Sequence, residues 1–516
     1  MAELVSSIFN DVIGPVMRGP SSSHSAASVR IGRLIHDLCS GTPTTVSIRY
    51  DTQGSLATTH ESQGTDMGLY GGLLGWSADD PRLESSPRVI RETGTSIEIE
   101  KKRLDDPHPN TYRISVERAG DTHDLVALST GGGMIEVIEI DGFSVSLFGD
   151  YMTTLITTES DGQAIAAELA DRDDVDSVAI AGAGPALVIV LSQKDLGDLA
   201  ISGHPTRIRV MRPVLPVMSR PDLTVPFRHA SELDDHELLT QPLSKWAIEF
   251  ECARGGITEG EVLTQAEAML SIMRQGVATG LAGTDYDDRI LGWQSGRFVE
   301  LSESGKLLDG GLLNTMIAYV TALMEAKSAM EVIVAAPTAG SCATFPGALL
   351  ATIDSLDAAD DAAQRALLTG GLIGVFVTNR STFAAEVGGC QAETGAGAAM
   401  AAAALVELAG GSAAQSLSAA SQSLQNVLGL ICDPVGNRVE APCLGRNVSG
   451  AANALSCANM ALAGYDHVIP FDEVLDAHKN VSDLMARELR CTGLGGLAVT
   501  PTAQRIELDL TRRRRR

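Results

Sequence analysis

The sequence predicts an α/β N-terminal domain followed by an all-α C-terminal domain. Three observations predict it. Segments that alternate apolar and polar residues recur as far as ALVIVLSQKDL and then almost vanish. A proline-rich stretch, Arg212 to His229, carries prolines at 213, 216, 221 and 226 and reads as a linker. Beyond it come small-residue runs such as GAGAAMAAAALVELAGG, which suit buried helices in close contact. The expected division is therefore 1–215, a linker at 216–229, a helical domain at 230–510 and a basic tail at 511–516.

The elements follow in order. After Gly14–Pro15 and Gly19–Pro20, the run SSSHS leads into AASVRIGRLIHDLC, a helix that its serines can cap. TTVSIRYDTQGSL is a strand with Val46, Ile48 and Tyr50 on one face. THESQGTDMGLYGGLLG turns into a glycine-rich helix. SIEIEKK and TYRISVERA are strands on either side of DDPHPN, a turn by composition. DLVALST, GGG and IEVIEIDGFSVSLFG extend the pattern. Residues 157–181 and 186–196 complete it, so one antiparallel or mixed sheet is expected. GAGP at Gly182–Pro185 lacks the strand and helix that a dinucleotide fingerprint needs. In the second domain, helical periodicity covers 232–270, 303–329, 341–373, 394–410, 412–429, 447–463 and 471–489.

Composition narrows the function. The chain has 516 residues, 44% apolar and only 4% aromatic, so a large core must be packed from small side chains. A net charge of -26 disfavours nucleic acid and anionic membrane as partners. No signal peptide is visible, and no apolar run is long enough to span a bilayer. Eight cysteines are too few for a disulfide scaffold of this length. A reducing, cytoplasmic setting is expected, where grouped cysteines point to metal or chemistry.

Three cysteines, Cys390, Cys432 and Cys443, lie in Gly/Pro-rich punctuation (GGCQAETGAG and LICDPVGNRVEAPCLGRN) rather than on apolar helical faces. Their spacing matches neither a ferredoxin run nor a zinc finger, and by itself fits buried structural thiols or zinc as well as an iron–sulfur cluster. Cys39, Cys252 and Cys457 read as small core residues. Cys342, at a probable helix start, reads either as a reactive thiol or as an inert one. Ser22, Ser23 and His24 meet at a helix start, where hydroxyls and free amides can cradle a carboxylate. An ordinary capped helix with a surface histidine fits the same residues. Thr338, Gly340 and Ser341 of APTAGS precede another helix and can hold a carboxylate or hydroxyl, or form a plain junction. Arg446 and Asn447 are candidate pocket residues, with a surface ion pair the alternative for Arg446. As bases, His24, His60 with Asp66, and His467 titrate in the useful range, unless they simply face solvent.

Several long motifs carry a resemblance. IFNDVIGPVMRGPSSSHSAASVRIG, DPHPNTYRI and STGGGMIEVIEIDGF come first. VAAPTAGSCATFPGALLA, AEVGGCQAETG, GLICDPVGNRVEAPCLGRN and TGLGGLAVTP follow. In this order they span nearly the whole chain, which resembles the iron–sulfur-dependent L-serine dehydratases (L-serine ammonia-lyases) with beta and alpha parts fused. The resemblance implies that Cys390, Cys432 and Cys443 ligate a 4Fe-4S cluster in the helical domain, with one iron open to a small amino-acid substrate. It implies that the serine-rich opening binds the substrate carboxylate across the domain boundary, and that the protein is a homodimer or higher homo-oligomer. Some members carry a further small-molecule-binding domain, and none is expected here beyond the α/β part.

The chemistry is consistent with such a site. Hydroxide is a poor leaving group, so a Lewis acid on the β-hydroxyl helps, and a base must remove the Cα proton. Enamine and imine follow, and water then yields a 2-oxo acid and ammonia. The chain departs from the family at three places. Residues 61–66 read ESQGTD where KGHGTD is common, Lys327 stands where asparagine is usual, and the chain ends in arginines, with Cys491 in ELRCTGLGG, rather than in a cysteine. These changes leave open a related lyase acting on threonine or cysteine, and a non-catalytic iron–sulfur or small-ligand sensor on the same scaffold.

Overall fold

The computed structural model describes residues 5–197, 199, 201, 207–220, 223–233 and 239–514. Pro221 of the expected linker, residues 234–238 of the first expected helix, and the ends of the chain (1–4 and 515–516) lie outside the described residues.

The strands are β1 (Val16–Met17), β2 (Thr45–Asp51), β3 (Ser96–Lys102), β4 (Thr111–Arg118), β5 (Asp121–Gly131), β6 (Met134–Ile140) and β7 (Phe143–Leu147). They continue with β8 (Met152–Thr158), β9 (Ser177–Ala181), β10 (Ala186–Ser192), β11 (Arg207–Met211) and β12 (Ile333–Val334). Six of them form a mixed sheet in the order β3-β2-β4-β5-β6-β7, in which only β2 and β3 run parallel. The alternation read in the sequence sets its inner face. Val46, Ile48 and Tyr50 of β2 and Ile114 and Val116 of β4 are buried with Ile31, Leu34 and Ile35 of the helix Ala27–Leu38 and Leu69 and Leu73 of the helix Thr65–Leu73.

The single sheet expected from the sequence is instead two. Strands β8 to β11 form a separate antiparallel sheet in the order β11-β8-β10-β9, with the helix Gln163–Ala170 on one face. The reason is double-sided burial. Leu187 and Ile189 of β10 face the large α/β core, whereas Val188 and Val190 face Ile165 and Leu169 of that helix. Such a strand shows a continuous apolar run and no alternation that would mark a new layer. Among the described residues this sheet runs β-α-β-β-β and forms a layer of its own within the α/β part.

The second half is helical. The helix Ala396–Leu408 lies at its centre, buried almost throughout and wrapped by Thr344–Leu356, Asp360–Arg380, Ala413–Gln425 and Cys443–Leu462. Among the described residues two expected helices are interrupted. Residues 232–270 divide at Gly256, left-handed at φ 63°, before a capping box of Thr258 and Glu261 opens Glu259–Ala282. Residues 341–373 divide at Asp357, φ 48°. Residues 511–514 of the expected basic tail belong to a helix, Pro501–Arg514, that the periodicity did not disclose.

The halves interleave. Ile8, Phe9, Val12, Ile13 and Met17 belong to the helical core, and β1 pairs antiparallel with β12 of the helical half. The Ser7 hydroxyl and the Ile8 N–H donate to the buried Glu251 carboxylate at 2.5 and 2.8 Å. Among the described residues no helix is long and apolar enough to cross a membrane.

Candidate active site

Cysteines converge where loops of the helical half meet the six-stranded sheet's connections. Cys390 follows Gly389, whose φ of 70° and approach to the Leu430 carbonyl leave no room for a side chain. Gln391 then clamps the turn. Its N–H donates to the Leu430 carbonyl at 2.9 Å, its amide oxygen accepts from the Gly429 N–H at 2.8 Å, and its amide nitrogen donates to Ser482 Oγ at 2.9 Å. This places Cys390 beside Cys432. The Cys432 N–H donates to the Leu489 carbonyl at 2.8 Å, drawing in the segment that ends at Cys491. Cys443 opens the helix Cys443–Leu462.

All four thiols are buried and free. The sulfurs of Cys390 and Cys432 and a carboxylate oxygen of Glu393 lie within 4.8 Å of one another. Hydrogen bonding from Cys432, aided by the Arg446 guanidinium, holds the Cys390 thiol below its ordinary range. Arg446 donates to Cys390 Sγ at 3.3 Å and pairs with Asp433 at 2.5 Å. Burial pushes Cys443 upward, and the neighbouring thiols push Cys432 upward. Cys342 lies apart against Met324, and burial raises it to about 11, so it is not an activated thiol.

The APTAGS turn closes one side. Thr338 Oγ1 donates to Glu393 at 2.5 Å, and the Ser341 N–H donates to Thr338 Oγ1 at 3.2 Å. Gly340 is needed because a Cβ there would overlap the Glu393 carboxylate. Burial, with the charge of Cys390 behind it, pushes Glu393 up to about 8. Asn447 is fully engaged: it accepts from the Thr344 N–H and hydroxyl, each at 2.9 Å, and donates to the carbonyls of Gly340 and Cys443 at 2.9 and 2.8 Å. It thereby fixes the turn relative to the first residue of the cysteine helix. The buried Lys327 ammonium donates to the Val439 carbonyl.

The α/β part supplies the opposite wall. Ser22 Oγ accepts from the Ala339 N–H at 3.1 Å, so the serine-rich opening touches the APTAGS turn. The Ser23 carbonyl accepts from Ser129 Oγ at 2.9 Å. Ser21 provides no side-chain cap to this helix start. Ser55 Oγ donates to the Cys491 carbonyl at 2.9 Å, and the Gln63 amide donates to Cys491 Sγ at 3.4 Å. Two glycine contacts set this wall: a Cβ on Gly68 or Gly72 would overlap the carbonyls of Ser25 or Val29.

The candidate bases separate clearly. His24 is enclosed, with Nδ1 at 3.0 Å from Ser21 Oγ and Nε2 at 2.8 Å from Thr59 Oγ1. Burial, then the nearby His60, lowers it to about 3. His60 is different. Both oxygens of Asp66 meet its Nδ1, at 2.9 and 2.8 Å, while its buried Nε2 has no hydrogen-bond partner among the described residues. Asp66 also lines a cavity of about 680 Å³ shared with Glu61, Lys327, Arg438 and Glu440. His467 is partly exposed in a loop; its ring is 3.9 Å from Asp466, its carbonyl accepts from Gln425, and it is not brought to the thiols.

Residues that sequence reasoning did not single out complete the wall. Glu386 Oε2, both side-chain ends of Asn110, and the hydroxyls of Tyr50, Thr65 and Tyr112 are buried without a hydrogen-bond partner among the described residues. Each such group costs about 1–3 kcal/mol when left unpaired, and groupings of this kind mark functional sites. The motifs that hold Asn110 and Glu386, DPHPN and AEVGGC, were visible, but only the three-dimensional arrangement shows the open polar atoms.

Comparison with known families and proteins agrees in both halves. Residues 174–498 match the family described as serine dehydratase alpha chain, and residues 8–139 the serine dehydratase beta chain. The chain is 42% identical over 250 residues to a probable L-serine dehydratase alpha chain of Bacillus subtilis, covering 48% of this chain and 83% of that one. It is 40% identical over 263 residues to an L-serine dehydratase alpha chain of Peptoniphilus asaccharolyticus, covering 51% and 90%. A probable L-serine dehydratase beta chain of Bacillus subtilis is 36% identical over 146 residues, covering 28% and 66%.

Proposed function

The chain belongs to the serine dehydratase family, its beta part preceding its alpha part in one polypeptide, and from this premise we propose that it converts L-serine to pyruvate and ammonia at the seam described above. It is an enzyme of the L-serine ammonia-lyase class. The observation that supports this site is the meeting of the Cys390 and Cys432 sulfurs with Glu393, with Arg446 donating to Cys390 and Cys491 packed beside them. Soft, buried, unpaired thiols with a guanidinium to offset their charge suit an iron–sulfur cluster. Cys390, Cys432 and Cys443 would hold a 4Fe-4S cluster, and Cys491 lies within reach of the same group. Bound there, the cluster supplies a Lewis acid for the departing hydroxyl.

The protein's own groups do the remainder. The unpaired Nε2 of His60 takes the Cα proton, with Asp66 holding the ring and balancing its charge. The electron pair left at Cα forms the Cα–Cβ double bond as the Cβ–O bond breaks. The resulting enamine becomes an imine and is hydrolysed to pyruvate and ammonia. The helix start at Ser22 and Ser23 and the turn at Thr338, Gly340 and Ser341, joined by the Ser22–Ala339 contact, hold the substrate carboxylate.

Anaerobic purification, with iron and acid-labile sulfide measured beside keto-acid release from serine, threonine and cysteine, tests this reading. Four irons per chain and pyruvate from serine are expected, and Cys432→Ser should lose both cluster and turnover. Full activity in protein free of inorganic sulfide would overturn the cluster. A preference for cysteine or threonine would overturn the substrate.

A further inference from the structure

We propose that Glu386, assisted by Asn110, is the subsite for the substrate's α-ammonium group and so sets the requirement for an amino acid rather than a plain hydroxy acid. This rests on the serine-lyase reading above and deepens it.

Glu386 lies in the turn Ala385–Gly388, just ahead of Cys390. It is buried, and its Oε2 has no partner among the described residues. Its Oε1 is 3.4 Å from His24 Nδ1. That imidazole is not a counter-ion, because burial keeps it neutral until about pH 3. Among the described residues no lysine or arginine forms an ion pair with Glu386. A buried carboxyl is normally matched by a cation or by several donors. Here burial raises Glu386 above the ordinary carboxyl range, the sign of a missing positive partner.

The surroundings match an ammonium group. The Asn110 amide approaches Glu386 closely enough to favour its charged form, though without good hydrogen-bond geometry. Its oxygen is therefore free to accept a second N–H. Glu386 lies close enough to Glu393 and Cys491 on the cysteine side, and to Tyr112 on the sheet side, for its charge to push all three upward. An ammonium held at Glu386 would thus lie between the thiol group and the beta-part wall. Glu386 comes from the alpha part and Asn110 from the beta part, so the subsite is complete only when both are in place.

The test uses the cluster-loaded, anaerobically purified full chain. Glu386→Gln should keep its iron and sulfide yet raise KM for L-serine by on the order of 10- to 100-fold, the factor of a hydrogen bond to a charged group, with a smaller change in kcat. Inhibition by 3-hydroxypropanoate, which lacks the amine, should stay within about twofold of wild type, whereas that by glycine should weaken with KM. Asn110→Ala should shift KM in the same direction by less, and Glu386→Asp should restore part of it. Unchanged KM with lost kcat, or equal weakening of both inhibitors, in a variant that retains its iron would overturn the subsite while leaving the serine-lyase reading intact. A wild-type protein that makes no pyruvate would overturn both.

Discussion

At the scale of single residues, what matters is which atoms are left free. His24 and His60 are both buried, and the sequence placed both in Gly/Ser-rich loops. Loop placement could not reveal that hydroxyls occupy both nitrogens of His24 while His60 keeps one open. Cys390 and Cys432, whose sulfurs the fold brings together, could be singled out in the sequence because they fall in long motifs, whereas the open ends of Glu386 and Asn110 depend on side chains brought from distant segments. The His24 environment also predicts acid sensitivity. In the unfolded chain this imidazole binds a proton near pH 6.5, but in the folded protein not until about 3. Its contribution is therefore fully present above the unfolded value and is lost as pH falls below it. Between pH 7 and pH 5 the loss is about 2 kcal/mol. Denaturant midpoints for wild type and His24→Asn at the two pH values should show a shallower pH dependence in the variant; parallel curves would refute the assignment.

At the scale of elements, the site depends on helices that touch through glycine. Gly32 on the helix Ala27–Leu38 and Gly68 and Gly72 on Thr65–Leu73 let the two backbones meet, which sets Asp66 relative to the serine-rich opening. Gly72→Ala should destabilise the fold by about 1–3 kcal/mol through overpacking. It should also lower kcat with cluster content unchanged, since it displaces the His60–Asp66 pair and not the cysteines; thermal unfolding, iron analysis and turnover would check this together. Most strands were readable from their alternation. It did not reveal the second sheet, because β10 is apolar on both faces. Nor did it show where long helical patterns break, since one left-handed residue, Gly256 or Asp357, leaves no trace in periodicity.

At the scale of the whole molecule, the halves are interlocked and not merely tethered. Ile8, Phe9, Val12 and Ile13 fill the helical core. Buried side chains of this kind contribute about 1.5–3 kcal/mol each, so the four together rival the ~5–15 kcal/mol net stability of a domain. Cutting the backbone once between residues 223 and 229 should therefore leave a complex that co-elutes in gel filtration and keeps its iron, and separate elution would contradict the interlock. Residues 230–516 produced alone should aggregate. The segment 7–17 carries a final implication. Ile8 and Val12 fit against Gly371 and Gly374 of the helix Asp360–Arg380. During synthesis at ~5–20 residues per second, that leading piece emerges on the order of half a minute before its receptor exists. The nascent protein must therefore carry a greasy, unclaimed end through most of translation, and how chaperones at the ribosome shelter it would govern the yield of active enzyme.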